Sequence, residues 1–255
     1  MKTICEAKIL KNTNITPVIM DMVILAPEIA KEAKAGQFIN MYTGKGELLL
    51  PRPISICDFD AEKGTVRVVY AVVGKGTEIF SGLSEGETVK VLGPLGNGFT
   101  FDETAKKSVL VAGGIGAPPI LGLCRRLKGE VEVFLGARDK NILKDEFEAL
   151  GAKVYLSSDA GIEGYKGNVV ELMKAENADG DIIYTCGPKI MLKGVYDYAE
   201  NKGIAIQVSM EERMACGIGA CVGCAIKIKD GNGGYNNLKV CKDGPVFDGK
   251  EVLWD

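Results

Sequence analysis

Lys107-Ser108-Val109-Leu110-Val111-Ala112-Gly113-Gly114-Ile115-Gly116-Ala117-Pro118-Pro119 is the stretch that decides the fold. A short apolar run of this length reads as a buried strand. Three glycines in the next four positions let the backbone approach a bound anion closely, and a helix starting there would offer its N-terminus to a phosphate. Pro118 and Pro119 suit a first helical turn, where the missing N–H groups would be unpaired anyway. Ile120, Leu123, Cys124 and Leu127 then fall on one helical face. Gly113-Gly114-x-Gly116 is not the G-x-G-x-x-G dinucleotide fingerprint. Alone, it is compatible with a plain strand-to-helix connection.

Downstream, the pattern repeats. Strands are expected at residues 131–135, 154–156, 181–185 and 204–208, and helices at 146–150, 169–174 and 190–201. Alternation of this kind predicts a parallel sheet with helices on both faces, spanning residues 101–209. Cys186-Gly187-Pro188 follows the fourth strand and so shares the ligand-binding edge of the sheet with Gly113, Gly114 and Gly116. Read without that context, Cys186 is a small buried residue at a turn. Arg138, after the second strand, could meet a 2′-phosphate, but a surface pair with Asp139 or Glu146 is the expectation.

Upstream, residues 1–100 read as short strands between glycine and proline turns, the signature of a sandwich or barrel. Residues 65–73 are a β-branched run between Gly64 and Gly74, and residues 87–92 alternate before stopping at Gly93-Pro94. Residues 26–36 permit a helical turn or a loop. Arg52-Pro53-Ile54-Ser55-Ile56 closes another apparent strand. An arginine there can neutralise a cofactor pyrophosphate bidentately, and Ser55 can donate to a flavin ring nitrogen. Arg52 in a proline turn is otherwise simply solvated. Val69-Tyr70-Ala71 and Gly76-Thr77 are placed to complete such a site.

Downstream of residue 209 the chain is short and rich in Cys and Gly, too small for its own core. Four of the eight cysteines fall here, as Cys216-x4-Cys221-x2-Cys224 and then, after sixteen residues, Cys241. This is the plant-type [2Fe–2S] spacing. Two irons each need two thiolates, and one tight loop rich in Gly and Ala can supply three of the four. The competing readings are a four-cysteine zinc site, which usually shows two CxxC-like knuckles, and reduced core thiols.

Composition narrows the class. The chain has 255 residues, 46% hydrophobic and 25% charged, with a net charge of −3. That balance is ordinary for a globular protein and argues against nucleic acid as partner. It contains no histidine, which removes imidazole as metal ligand or general base and leaves cofactors as the expected source of chemistry. No apolar run is long enough for a membrane helix, and residues 1–8 carry no signal-peptide h-region. A soluble, cytoplasmic protein without a membrane partner is expected.

Together, Arg52-Pro53-Ile54-Ser55-Ile56, Gly74-Lys75-Gly76-Thr77 and Gly93-Pro94-Leu95-Gly96-Asn97-Gly98-Phe99 resemble the flavin domain of the ferredoxin-reductase superfamily. The resemblance implies a six-stranded antiparallel barrel that binds FAD through Arg52, Pro53, Ile54, Ser55, Val69, Tyr70, Ala71, Gly76 and Thr77. Ile54 stands where the superfamily has an aromatic, with Tyr70 as a candidate packing partner for the ring. Gly113, Gly114, Gly116, Gly187 and Pro188 look like its NAD(P)H site, with Cys186 near the nicotinamide as a catalytic group. Glu211-Glu212-Arg213-Met214-Ala215-Cys216 through Cys224, with Val240 to Phe247, is similar to the family of electron-transfer subunits of bacterial B-type dihydroorotate dehydrogenases.

The resemblance implies a three-part chain: an FAD-binding barrel (1–100), an NAD-binding α/β domain (101–209) and a [2Fe–2S] segment (210–255). It also implies an oxidoreductase subunit of pyrimidine biosynthesis, with an FMN-containing catalytic partner and two of each chain. Electrons would run from dihydroorotate through FMN, the cluster and FAD to NAD+. Two alternatives stay open: a flavin/iron–sulfur subunit of a sulfhydrogenase or ferredoxin:NADP complex, and a zinc-stabilised binding or redox-sensing module.

Overall fold

The computed structural model describes residues 2–254. The first hundred residues form six strands, β1 (Thr3–Thr16), β2 (Ile19–Leu25), β3 (Phe38–Tyr42), β4 (Arg52–Asp60), β5 (Thr65–Ala71) and β6 (Thr88–Leu95). They close into a barrel in the order β1-β2-β5-β4-β3-β6, every pair antiparallel. Period-two alternation drives the closure. On β3, Ile39 and Met41 point inward with Ile9, Met22, Ile24, Ile56, Val66 and Val68, while Phe38 packs outward against the rest of the chain.

Two short helices belong to this part. α1 (Pro27–Glu32) has proline in its first turn, resolving the open reading of residues 26–36. α2 (Lys75–Ser81) occupies the stretch read as a glycine turn, its first turn tied by Thr77, whose Oγ1 accepts from the N–H groups of Val73 and Gly74 at 2.9 and 3.2 Å. β6 continues through Gly93 and Pro94 instead of stopping there. The ladder tolerates the proline because the register to β3 shifts between Phe38 and Asn40, beside the missing N–H.

The second part builds β7 (Lys107–Gly113), α3 (Ala117–Cys124), β8 (Glu130–Ala137), α4 (Lys144–Ala149), β9 (Lys153–Ser158), β10 (Tyr165–Lys166), α5 (Val169–Ala175), β11 (Ile182–Cys186), α6 (Lys189–Lys202) and β12 (Ala205–Ser209). Strand order is β10-β9-β8-β7-β11-β12, all parallel, with a single 3₁₀ turn at Gly114–Gly116. The order reverses between β7 and β11, so the glycine loop and Cys186-Gly187-Pro188 flank a topological switch point. α3 is buried along its whole length and lies on β4 of the barrel. The fit is tight: a Cβ on Gly122 would come within 2.4 Å of the Cys57 carbonyl oxygen.

The third part is a hairpin, β13 (Ala225–Lys229) and β14 (Tyr235–Lys239), followed by β15 (Val246–Asp248). β15 adds antiparallel to β12 as the last strand of the large sheet. Ile226, Ile228, Val240, Phe247 and Val252 share one core with Val195, Ile206 and Val208 of the α/β part and with Phe38 and Leu95 of the barrel. A segment too small for its own core thus borrows its neighbours'. Among the described residues, no helix is long and apolar enough to cross a membrane.

Candidate functional site

The four clustered cysteines come together in two pairs. Cys216 Sγ and Cys221 Sγ are 3.3 Å apart, and the Cys221 N–H donates to Cys216 Sγ at 3.4 Å. Cys224 and Cys241 are fully buried, and the Val240 N–H donates to the Cys224 carbonyl at 3.0 Å. The loop that carries three of them turns on Gly217 (φ 66°) and Gly219 (φ 85°), conformations that disfavour other residues. Lys239 Nζ caps the Gly219 carbonyl at 2.7 Å.

Electrostatics separates the thiols. Burial opposes ionisation of Cys216, but N–H groups of Cys221, Ile218 and Ala220 aimed at its sulfur prevail and bring its pKa to about 6. Burial and then the neighbouring Cys224 push Cys241 up to about 12. Bound iron inverts that second effect, since a coordinating thiol is deprotonated outright. Among the described residues no three His, Cys, Asp or Glu are grouped about one point. Two thiol pairs with N–H groups on the sulfur have the chemistry that two irons, each taking two thiolates, would need.

Beside this loop lies a pocket of about 210 Å³ that joins all three parts of the chain. The outer face of the barrel contributes Phe38, Pro53 and Ser55, the sheet edge Cys186 and Ser209, and the C-terminal segment Glu211, Glu212, Met214 and Pro245. Arg52 stands at the start of β4, against α2. A Cβ on Gly76 would lie 2.1 Å from Arg52 Nε, so Gly76 is the gap that the guanidinium fills. If Arg52 bonds the FAD pyrophosphate, Gly76→Ala displaces it and weakens FAD retention by roughly tenfold or more, the effect of losing charge-assisted bonds of about 1.5–3 kcal/mol; flavin content after dialysis measures it.

Strand phase sorts the remaining barrel residues. Val69 packs toward the α/β part and Ala71 lines a cleft along the sheet edge, but Tyr70 between them points inward. Its ring is 1% exposed, edge-on to Phe80 with centroids 6.4 Å apart. Only its backbone faces a group bound outside the barrel, so its ring is not a packing partner for one. Ile54 packs against the same interior. Thr77 is buried and holds the first turn of α2.

The sheet-edge cleft has a volume of about 650 Å³ and is lined by Ala71, Gly113, Gly114, Arg138, Asp159 and Pro188, among others. Gly116 and Gly187 sit beneath it. A Cβ on Gly116 would fall 2.2 Å from the Cys186 carbonyl oxygen, and one on Gly187 3.0 Å from the backbone N of Gly113. The two loops therefore lock together through bare backbone. Cys186 opens onto the smaller pocket, and burial first, with Glu211 nearby, pushes its thiol up to about 12. It stays a neutral thiol at physiological pH.

Three carboxylates line these cavities without having been expected there from the sequence. Glu211 lines both pockets, and although the residue keeps solvent exposure, the crowding of its carboxyl holds its pKa above the usual value. Asp139 and Asp159 line the sheet-edge cleft, and no ion pair or hydrogen bond engages their side chains among the described residues. Arg138 also departs from expectation. It lines the cleft and pairs with neither Asp139 nor Glu146, because Arg67 and Arg125 already hold Glu146 at 2.7 and 3.1 Å.

Comparison with known proteins agrees with this architecture. Residues 211–253 match the iron–sulfur cluster binding domain of dihydroorotate dehydrogenase B. The chain is 41% identical, over the full length of both, to the dihydroorotate dehydrogenase B (NAD(+)) electron transfer subunit of Desulforamulus reducens. It is 38% identical to that of Caldanaerobacter subterraneus subsp. tengcongensis over 98% of each chain. Among solved structures, a chain of the NADH-dependent reduced ferredoxin-NADP oxidoreductase superposes with a TM-score of 0.86 at 32% identity, covering 98% of this chain and 91% of that one. A ferredoxin NADP+ reductase from Neisseria gonorrhoeae with bound FAD and NADP shares the fold, with a TM-score of 0.68 at 21% identity over 78% and 92% of the two chains.

Proposed function

The chain belongs to the family of dihydroorotate dehydrogenase B electron transfer subunits, and from that premise we propose how its residues carry electrons between a catalytic partner and NAD+. FAD exchanges a hydride as well as single electrons, and a [2Fe–2S] cluster exchanges single electrons only, so the pair converts one form of reduction to the other. Cys216, Cys221, Cys224 and Cys241 hold the cluster. Arg52 neutralises the FAD pyrophosphate, and Pro53, Ile54, Ser55, the backbone of Val69, Tyr70 and Ala71, Gly76 and Thr77 shape the rest of its seat. Gly113, Gly114, Gly116, Gly187 and Pro188 form the NAD(H) cradle.

The observation that carries the reading is the shared pocket, lined by both Ser55 of the barrel and Cys186 of the sheet edge, with Glu211 lining this pocket and the larger cleft. Ser55 offers a hydrogen bond to the ring system, and Cys186, kept neutral, places an uncharged group beside the hydride path. The partner is the FMN-bearing catalytic subunit, assembled as two of each chain and serving pyrimidine synthesis. Mixing the chain with that subunit under anaerobic conditions is expected to give dihydroorotate-dependent reduction of NAD+. Failure of a fully loaded complex to do so would overturn the assignment.

Nucleotide choice follows from charge. Asp139 and Asp159 favour a ribose diol and repel a 2′-phosphate, outweighing the attraction of Arg138. Replacing both with asparagine is expected to raise the preference for NADPH relative to NADH by about tenfold, equivalent to about 1.4 kcal/mol, as read from kcat/KM for flavin reduction with each nucleotide.

A further inference from the structure

Asn40 is a fully buried polar residue in the middle of β3, a strand whose other members are Phe38, Ile39, Met41 and Tyr42. Ile39 and Met41 face the barrel interior, so Asn40 shares the outward face with Phe38. Its ladder partner on β4 is Pro53, which with Phe38 and Ser55 lines the small pocket. Across the gap, Asn40 Nδ2 donates to the carbonyl oxygen of Cys216 at 3.1 Å. Gly217 rests directly on the same amide, since a Cβ there would come within 2.4 Å of Asn40 Nδ2. Asn40 Oδ1 is buried with no hydrogen-bond partner among the described residues.

A buried amide with one oxygen unsatisfied is costly, so a residue serving only to fill space at this position would be apolar. We propose that Asn40 is a positioning residue that fixes the iron–sulfur loop, through the Cys216 carbonyl, against the flavin-facing wall of the barrel. The inference rests on Cys216 being a cluster ligand. Asn40 then sets the separation between the wall that carries Pro53 and Ser55 and the nearest thiolate. The amide belongs to the shell of hydrogen bonds behind the ligands, where substitutions change metal retention or activity by about 10–100-fold.

The test uses the full chain loaded with FAD and iron, as Asn40→Leu and Asn40→Asp. Three quantities are measured: iron release to a chelator, the rate at which the cluster is reduced after mixing with NADH, and the cluster potential by EPR-monitored titration. In both variants NADH should still bleach the flavin within about twofold of the normal rate. Iron release should be about tenfold faster and cluster reduction about tenfold slower. The cluster potential should also shift from the wild-type value in both variants, because the hydrogen bond behind Cys216 is changed. Wild-type iron release, cluster reduction and cluster potential in both variants would overturn the proposal.

Should Asn40→Leu fail to fold, Asn40→Ala removes the same donor without adding bulk. Slowed cluster reduction supports the proposal and a normal rate refutes it. An iron-free wild-type protein would instead sink the assignment of Cys216 itself.

Discussion

Cys221→Ser is expected to reduce electron exchange between dihydroorotate and NAD+ to background while NADH still reduces the flavin at close to the normal rate. Cys221 contributes twice to its pair: its thiol lies 3.3 Å from that of Cys216, and its N–H is one of the donors that keep Cys216 near pKa 6. A serine preserves the backbone donor but replaces a soft thiolate with a hard oxygen of shorter reach, and Fe–S clusters are held by thiolates. Arg52, Ser55, Cys186 and the Gly113–Gly114 loop are untouched, so hydride exchange with the flavin persists. Stopped-flow reduction with NADH alone, beside steady-state turnover with the partner, separates the two. Normal turnover with the partner would show that the thiolate set lies off the electron path.

Arg67→Met is expected to give the largest loss of stability, about 2–3 kcal/mol, or roughly 5–10 °C in melting temperature. Arg67 on β5 is 18% exposed and bonds Asp21 of β2 at 2.7 Å and Glu146 of α4 at 2.7 Å, joining the barrel to the α/β part. Arg125 and Arg126, at the end of α3, extend the network to Asp58 of β4. Removing Arg67 leaves Asp21, 5% exposed, with only the half-exposed Lys11. The figure lies below the usual 3–5 kcal/mol for a broken buried pair because Lys11 remains.

The same network fixes a pH dependence. Burial alone would raise the Asp21 carboxyl, but hydrogen bonds from Arg67 and Lys11 outweigh it and hold the pKa below 3.8. Arg67 first of all, against burial, holds Glu146 below 4.5. Groups depressed in the folded state contribute stability that is complete above their unfolded values and disappears as the pH falls through the folded ones. The gap between wild type and Arg67→Met should therefore be full at neutral pH and narrow below about pH 4. Thermal melts across pH 3–7 measure this, and a gap that stays constant would remove the ion pairs from the explanation.

Features written in contiguous residues are legible in the sequence. The strand ending at Gly113, the prolines of α3, the β/α alternation and the cysteine spacing are local signals whose chemistry dictates their order. Features made by distant residues are not. Asn40 gains its partner 176 positions later, and no pattern in Phe38–Tyr42 announces it. Arg67 meets Glu146 only once α3 has been laid on β4. Tyr70 shows a third kind of gap. Three successive residues read as one site, yet a strand turns alternate side chains to opposite faces, and the aromatic one faces inward. In 225–229 the alternation of Ala, Ile, Lys, Ile and Lys is a usable strand signal masked by the surrounding glycines and cysteines.

The central claim is that four cysteines and a flavin seat in one chain turn hydride into single electrons. Its most direct test is an anaerobic titration of the purified chain with NADH, followed by EPR and by optical bleaching of the flavin. The expected result is one FAD and two irons with two sulfides per chain, with an EPR signal from the reduced cluster growing in as NADH is added. Zinc in place of iron, or a flavin that bleaches while the iron stays EPR-silent and oxidised, would contradict it.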